Sequence, residues 1–183
     1  MAEERPRLSL LHQREIEARV VGPLIRAVAA ELGEELTLRL LRDVIADLAR
    51  QGGAELARLL GETSLEAFAQ SLDRWREGGA LELVVLEQSA EHLAFNVTRC
   101  RYAELYRALG LADLGSSLSC QRDFALVQGF NPAIQLTRTQ TIMEGAPYCD
   151  FRFRTQGATS SQDEPADGPD DRGGGRLTPD AAP

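Results

Sequence analysis

The stretch that decides the fold reads His92-Leu-Ala-Phe-Asn-Val-Thr-Arg-Cys100-Arg-Tyr-Ala-Glu-Leu-Tyr-Arg-Ala-Leu-Gly110. In its first part Leu93, Phe95 and Val97 alternate with small or polar residues, which is typical of a half-buried β-strand. After the first cysteine the apolar residues recur at helical spacing, and the closing glycine is a common helix stop. A strand that leads directly into a helix predicts a fold in which a sheet and helices pack on each other.

The residues before this stretch have helical spacing. One apolar stripe covers residues 16–32 and predicts a helix that kinks or restarts at Pro23 and ends at Gly33. A second stripe covers residues 36–48 and predicts a helix that ends near Gly52-Gly53.

The strand pattern predicts two hairpins. Residues 81–87 and 92–98 form the first, and residues 134–143 and 148–154 form the second around Gly145-Ala146-Pro147. The helical residues between them include a segment over 112–122 that carries Cys120. The predicted class is therefore α+β: a helical N-terminal half packed on a mostly antiparallel sheet, with a helical insertion between two hairpins.

Length and composition predict one domain and a tail. The chain has 183 residues, of which 43% are hydrophobic, and a formal net charge of -8. Residues 156–183 hold four of the eight prolines, five of the sixteen glycines and half of the net charge. Such a segment cannot bury enough apolar area to offset the cost of ordering. We therefore expect a folded domain over residues 8–155 and a disordered tail over 156–183.

Composition also excludes several classes of function. All 20 basic residues are arginines, which excludes a Schiff-base or phosphate-loop lysine, and two histidines cannot form an H-E-x-x-H zinc site. The acidic balance argues against a nucleic-acid partner, and no apolar run approaches the roughly 18 residues of a membrane span. The N-terminus lacks the apolar stretch of a signal peptide, so we expect a cytoplasmic protein.

Arg138 is a candidate binding residue. If residues 134–144 form one strand, Arg138, Gln140 and Glu144 share a face with apolar residues. A buried guanidinium requires a partner, and a substrate carboxylate in bidentate contact is one such partner. The alternative is a pair with Glu144 or an aspartate on a half-exposed strand.

The cysteines offer three alternatives. Cys120 and Asp123 lie one helical turn apart, so the thiol is a candidate nucleophile with the acid orienting a water or a proton. Cys100, Cys120 and Cys149 with a carboxylate are a candidate zinc site, although no C-x-x-C pair supports it. Each cysteine alone fits a small buried hydrophobe. On the last strand, Cys149 is predicted to lie on the same face as Phe151 and Phe153.

Asn131 is a candidate on a turn. Asn131-Pro132 fits a turn that opens the next strand, and Asn131 is also placed to face the mouth of a pocket. We expect a general base to be a carboxylate and not His12 or His92, because both histidines are predicted to be exposed.

Several of these segments resemble a known family. Residues 100–110, 119–123, 129–132, 136–145 and 149–153 are similar to the L-2-amino-thiazoline-4-carboxylic acid hydrolase family. The resemblance implies hydrolysis of a small cyclic amidine that bears a carboxylate. In that reaction water opens the ring of 2-amino-thiazoline-4-carboxylate and yields N-carbamoyl-cysteine.

The resemblance carries no catalytic assignment, so we assign the roles that this reaction requires to the candidate residues from their chemistry. Cys120 would be the nucleophile or a metal ligand, and Asp123 the base or the water-orienting group. Arg138 would hold the carboxylate, with Asn131 and Cys149 as further substrate contacts. Glu144 would donate a proton, provided that burial raises its pKa.

A more distant resemblance concerns the cysteine spacing, which is similar to the 4-vinyl-reductase-type ligand-binding domain. Some members hold a structural zinc, but the middle cysteine is absent here and Thr141 lies near its place. This resemblance implies a buried pocket between sheet and helices. It leaves open a non-enzymatic binding domain with structural cysteines, or an interaction module that dimerises through its helical half. The expected partner is a small molecule; association of identical copies and a zinc cofactor stay open.

Overall fold

The computed structural model describes residues 8–156. Its helices are α1 (Leu10–Leu32), α2 (Glu34–Leu60), α3 (Leu65–Arg76), α4 (Arg101–Ala108), α5 (Ala112–Gly115) and α6 (Arg122–Phe130). Its strands are β1 (Leu81–Gln88), β2 (His92–Cys100), β3 (Ile134–Thr137) and β4 (Cys149–Thr155). The predicted tail lies outside the described residues, apart from its first residue.

The four strands form one antiparallel sheet in the order β1-β2-β4-β3. Three helices precede the sheet and three separate the two strand pairs, so the predicted α+β class is confirmed. Cross-strand register places Phe95 opposite Phe151 and Leu93 opposite Phe153.

The main core lies between this sheet and α3. Cys149, Phe151 and Phe153 are all buried, so the predicted face of β4 is confirmed. The ring of Phe68 on α3 lies 5.2 Å from that of Phe153, and the rings of Phe95 and Phe151 stack at 4.9 Å. These contacts fix the helical half on the aromatic face of the sheet.

Helix α2 does not end at Gly52-Gly53, contrary to the prediction. It continues to Leu60, and Gly53 lies inside it at a close crossing with another helix. A Cβ atom at Gly53 would lie 2.0 Å from the carbonyl oxygen of Leu126, and one at Gly129 would lie 2.0 Å from that of Arg50. Two glycines thus let the backbones of α2 and α6 approach each other.

Helix α1 runs through Pro23 without a new start and ends at Gly33, whose φ of 88° suits glycine. The end was predicted correctly, and of the two alternatives at Pro23, a kink or a new start, the new start was wrong. No helix in the described residues has the length and apolar content that crossing a membrane requires.

The predicted long strand over residues 134–143 was wrong, because β3 stops at Thr137. The carboxylate of Asp150 accepts hydrogen bonds from the backbone N–H groups of Thr139 and Gln140, at 2.9 and 2.8 Å, and holds this segment as a loop. A short 3₁₀ turn, Ile142–Glu144, follows. Arg138, Gln140 and Glu144 therefore do not share a strand face, and the second strand pair is joined by a loop instead of a tight turn.

Candidate functional site

A cavity of about 140 Å³ lies between the sheet, α1 and α6. Its apolar wall includes Trp75, Leu126 and Phe151. Its polar wall contains these residues: Arg14, Cys100, Tyr102, Ser119, Cys120, Arg122, Asp123, Arg138 and Cys149. The volume is below the roughly 300–1,000 Å³ of sites for drug-sized ligands, so the cavity suits only a small molecule.

A second, more open cavity of about 490 Å³ contains none of the cysteines. It lies beside α2 and α6, and its lining includes Arg42, Asp43, Gln121 and Phe124. The candidate residues Cys120, Asp123, Arg138 and Cys149 meet instead in the smaller cavity.

Cys120 reaches this cavity from a widened helical turn. Ser116–Cys120 form a π-helical turn, in which the N–H of Gln121 donates to the carbonyl of Ser116 at 3.0 Å. The segment predicted to be helical over 112–122 is helical, and it runs through α5 and this π turn into the first residue of α6. Such π turns are frequent at functional sites because they re-aim the side chains around them.

Arg138 and Asp123 form an ion pair in the cavity wall. The side chain of Arg138 is only 4% exposed and that of Asp123 22%. A second guanidinium nitrogen of Arg138 donates to the carbonyl of Cys120 at 3.0 Å. The rings of Phe124 and Phe151 lie 5.0 and 5.1 Å from the guanidinium carbon, which adds cation–π contacts.

The surroundings of Asp123 shift its proton affinity. Burial raises the pKa of Asp123 to about 6, although the charge of Arg138 and its hydrogen bond lower it. A carboxyl group with a pKa close to neutral pH both accepts and returns a proton readily. Asp123 therefore has the property that a general base in a small cavity requires.

The pKa values of the three thiols are also raised, which makes these thiols less reactive. Burial raises the pKa of Cys100 to about 11 and that of Cys149 above its usual value. Burial and the charge of Asp123 raise the pKa of Cys120 still further above its ordinary value. All three are neutral thiols at neutral pH, and the thiol form is a weak nucleophile.

Comparison with known proteins identifies the family of this chain. A family model described as L-2-amino-thiazoline-4-carboxylic acid hydrolase matches residues 13–153. The chain belongs to this family. No curated protein matches it. The crystal structure of the phenol-responsive sensory domain of the transcription activator PoxR with phenol is similar, with a TM-score of 0.43 and 14% identity over 74% of this chain and 72% of that one.

In this member of the hydrolase family, two candidate residues lie away from the cavity lining. The carboxylate of Glu144 accepts hydrogen bonds from Thr141 and Ser116, at 2.8 and 2.9 Å, and these bonds lower its pKa. The predicted role of Glu144 as proton donor required a raised pKa, and this condition is not fulfilled. Asn131 closes a turn, since its side chain donates to the carbonyl of Thr63 and accepts from the N–H of Ala133.

The cysteines of this family member line one cavity without forming a metal site. Cys100, Cys120 and Cys149 all contribute to the wall. Among residues 8–156, however, no three cysteine, histidine, aspartate or glutamate side chains converge closely enough to hold a metal ion. The residues described therefore do not fit the zinc alternative. Cys149 instead accepts a hydrogen bond from the N–H of Ile142 at 3.2 Å.

Sequence analysis missed Arg14, Arg122 and Asp150. The first two line the cavity, and Asp150 holds the loop that carries Arg138. Sequence spacing gave no signal for Arg14, because the buried side of α1 runs through Ala18 and Gly22 and not along the apolar stripe over residues 16–32.

Proposed function

We propose that this protein is a hydrolase that opens a small cyclic amidine bearing a carboxylate, such as 2-amino-thiazoline-4-carboxylate, inside the 140 Å³ cavity. Membership in a family described as a hydrolase supports the reaction class. The observation that carries the proposal is Asp123, a carboxyl group with a pKa of about 6 in the wall of a cavity sized for a metabolite.

The reaction balances with one water and no cofactor. The water oxygen bonds to the amidine carbon of the ring, and the bond between that carbon and the ring sulfur breaks. One water proton ends on the ring nitrogen and the other on the leaving sulfur. The product is an N-carbamoyl amino acid with a free thiol.

Asp123 is the general base in this proposal. Its ionised carboxylate takes a proton from the attacking water and then returns it to the leaving sulfur. Arg138 acts as a positioning residue, because Asp123 already neutralises its charge and its side chain is only 4% exposed. The expected direct clamp on the substrate carboxylate is therefore not assigned to Arg138.

Cys120 lines the cavity but does not attack the substrate in this proposal. Its raised pKa keeps it as a thiol at neutral pH, so water is the better nucleophile when Asp123 is beside it. The contribution of Cys120 and Cys149 is to shape the wall against which the ring lies.

Ring opening of 2-amino-thiazoline-4-carboxylate by the purified full chain tests the proposal. We expect Asp123→Asn to lose about 100-fold or more in kcat, which is typical of a removed general base. Cys120→Ala should keep turnover within about 10-fold, less than the loss of a proton-transferring group. Asp113→Asn, at an exposed acid on α5, is the matched control and should be unchanged.

Two results would overturn the assignment. Unchanged turnover in Asp123→Asn would remove the base, and abolished turnover in Cys120→Ala would make the thiol the nucleophile. Thermal unfolding of each variant separates loss of chemistry from loss of fold.

A second candidate is a non-enzymatic binding domain with structural cysteines. Three neutral thiols and an aromatic wall of Trp75 and Phe151 favour it. It predicts saturable binding of the thiazoline with no ring opening at any enzyme concentration.

A further inference from the structure

Two arginines outside the proposed chemistry share one carboxylate at the edge of the cavity. Arg14 and Arg122 both contact the same oxygen of Glu17, Arg122 at 2.9 Å. Their side chains are only 16% and 15% exposed, and both line the cavity. The Nε of Arg122 also donates to the carbonyl of Leu118 at 2.8 Å, which fixes its guanidinium.

The charges around the cavity do not balance. Arg14, Arg122 and Arg138 face two carboxylates, those of Asp123 and Glu17. One formal positive charge is left over, and it lies at the two arginines that divide one glutamate. Burial and the charge of Arg14 lower the pKa of Arg122, as expected where two cations repel each other in an enclosed place. A monoanion between them would relieve that repulsion.

We propose that Arg14 and Arg122 form the subsite that binds the carboxylate of the small anionic substrate. The identity of that substrate rests on the proposed function, whereas the subsite itself requires only binding. Among residues 8–156, Nη1 of Arg122 and Nη2 of Arg14 donate no hydrogen bond, so each guanidinium can offer one N–H to a carboxylate held between them. Arg122 is the chain neighbour of Asp123, so a carboxylate held there places the rest of a small ring beside the acid.

Calorimetric titration with two probes tests the subsite. The probes are 2-amino-thiazoline-4-carboxylate and 2-amino-thiazoline, which lacks the carboxylate. We expect Arg14→Gln and Arg122→Gln to weaken binding of the carboxylate probe by about 10-fold or more, as for a lost charge-assisted hydrogen bond. Binding of the probe without the carboxylate should stay the same. Arg19→Gln is the matched control, because Arg19 lies on the same helix and pairs with Glu15 at the surface.

The proposal is overturned if the wild-type protein fails to bind the carboxylate probe or binds both probes equally. It is also overturned if both Gln variants weaken the two probes alike while their thermal unfolding matches the wild type. Selective binding of the carboxylate without ring opening would keep the subsite and remove the hydrolase proposal. The two failures are therefore distinguishable.

An independent feature is the apolar surface of α1 and α2. Ten large aliphatic side chains on these helices are between 37% and 66% exposed, and eight of them precede Gly52: Ile16, Val20, Leu24, Leu32, Leu36, Leu40, Val44 and Leu48. Most are spaced four residues apart, and the stripes of the two helices meet at Gly33. This set is called the α1–α2 stripe below.

The size of the α1–α2 stripe matches that of a stable interface. At roughly 100 Å² each, the eight side chains expose on the order of 800 Å², which is the area that one partner buries in a standard protein–protein interface. Arg39 and Asp43 flank the α2 part with opposite charges, which a self-complementary surface can use.

We infer that the α1–α2 stripe is the interface between two copies of this chain. Light scattering after size exclusion should give a dimer for the wild type and a monomer for Val20→Glu and Leu40→Glu. Val84→Glu, on the exposed strand β1, should remain a dimer. A monomeric wild type, or a dimer that only Val84→Glu dissociates, would overturn the inference.

Discussion

Asp123 and Arg138 form an ion pair inside the protein, although they are 15 residues apart in the chain. The pair joins the first turn of α6 to the loop after β3, between the rings of Phe124 and Phe151. The same contact therefore ties two parts of the fold together and sets the proton affinity of the proposed base.

The activity should depend on pH through Asp123. The proposed base works only when ionised, and burial raises its pKa to about 6. Ring opening should therefore fall as the pH drops below 6 and level off above it. A profile of kcat/KM measured from acid to mildly alkaline pH checks this. A flat profile across pH 6 would contradict the role of Asp123.

Arg138→Met should destabilise the protein strongly. The change leaves Asp123 in a buried place without its partner, which costs about 3–5 kcal/mol in the free energy of unfolding. The double variant Asp123→Asn/Arg138→Met should recover part of that loss. Urea unfolding measures both. The exposed pair Arg19–Glu15 is the control, and Arg19→Met should cost about 0–1 kcal/mol. Equal losses at the two sites would mean that Arg138 is not part of a buried pair.

Adjacent glycines of α2 should respond in opposite ways to alanine. Gly53→Ala places a methyl group 2.0 Å from the backbone oxygen of Leu126, so α2 and α6 must move apart and the melting temperature should fall. Gly52 has open space around its Cβ position, so Gly52→Ala should leave stability unchanged or raise it by up to about 1 kcal/mol. Similar melting temperatures for the two variants would rule out the close crossing.

The cysteines should react slowly with alkylating agents in the folded protein. Burial raises the pKa of Cys100 to about 11, and Cys120 and Cys149 are shifted in the same direction. Mass spectrometry after iodoacetamide treatment should find little labelling at neutral pH and complete labelling after denaturation. Rapid modification of Cys120 alone in the native protein would instead identify it as an activated nucleophile.

The sheet and its buried face could be predicted because they depend on alternation along the chain. Phe95 and Phe151 occupy the buried side of their strands, and each belongs to a pattern of period two. Local spacing also predicted the end of α1, since Gly33 adopts a backbone angle that other residues avoid.

Contacts between distant segments account for the failures. The carboxylate of Asp150 on β4 accepts hydrogen bonds from the N–H groups of Thr139 and Gln140 and so ends β3. No local sequence pattern reveals this contact. The end of α2 was wrongly predicted near Gly53 for a different reason. A helix stop and a close helix crossing both require a residue without Cβ, so glycine alone does not distinguish them.

Four candidate residues share one cavity, but their pairing could not be predicted, and their function stays a prediction. Cys120, Asp123, Arg138 and Cys149 all line the cavity, whereas Asn131 and Glu144 do not. The acid that pairs with the guanidinium of Arg138 depends on where the loop after β3 turns. That turn is set by contacts across the sheet, beyond the reach of sequence spacing.

The π turn over Ser116–Cys120 has a consequence for how the chain tolerates length changes. It holds one residue more than a regular helical turn, and each residue of a helix rotates the next by about 100°. Deleting a single residue there would leave a regular helical turn, so Asp123 and the rest of α6 would keep their orientation around the helix axis. The extra residue is thus absorbed locally, and shortening the turn would alter the cavity wall at Cys120 while leaving the ion pair of Asp123 with Arg138 in place.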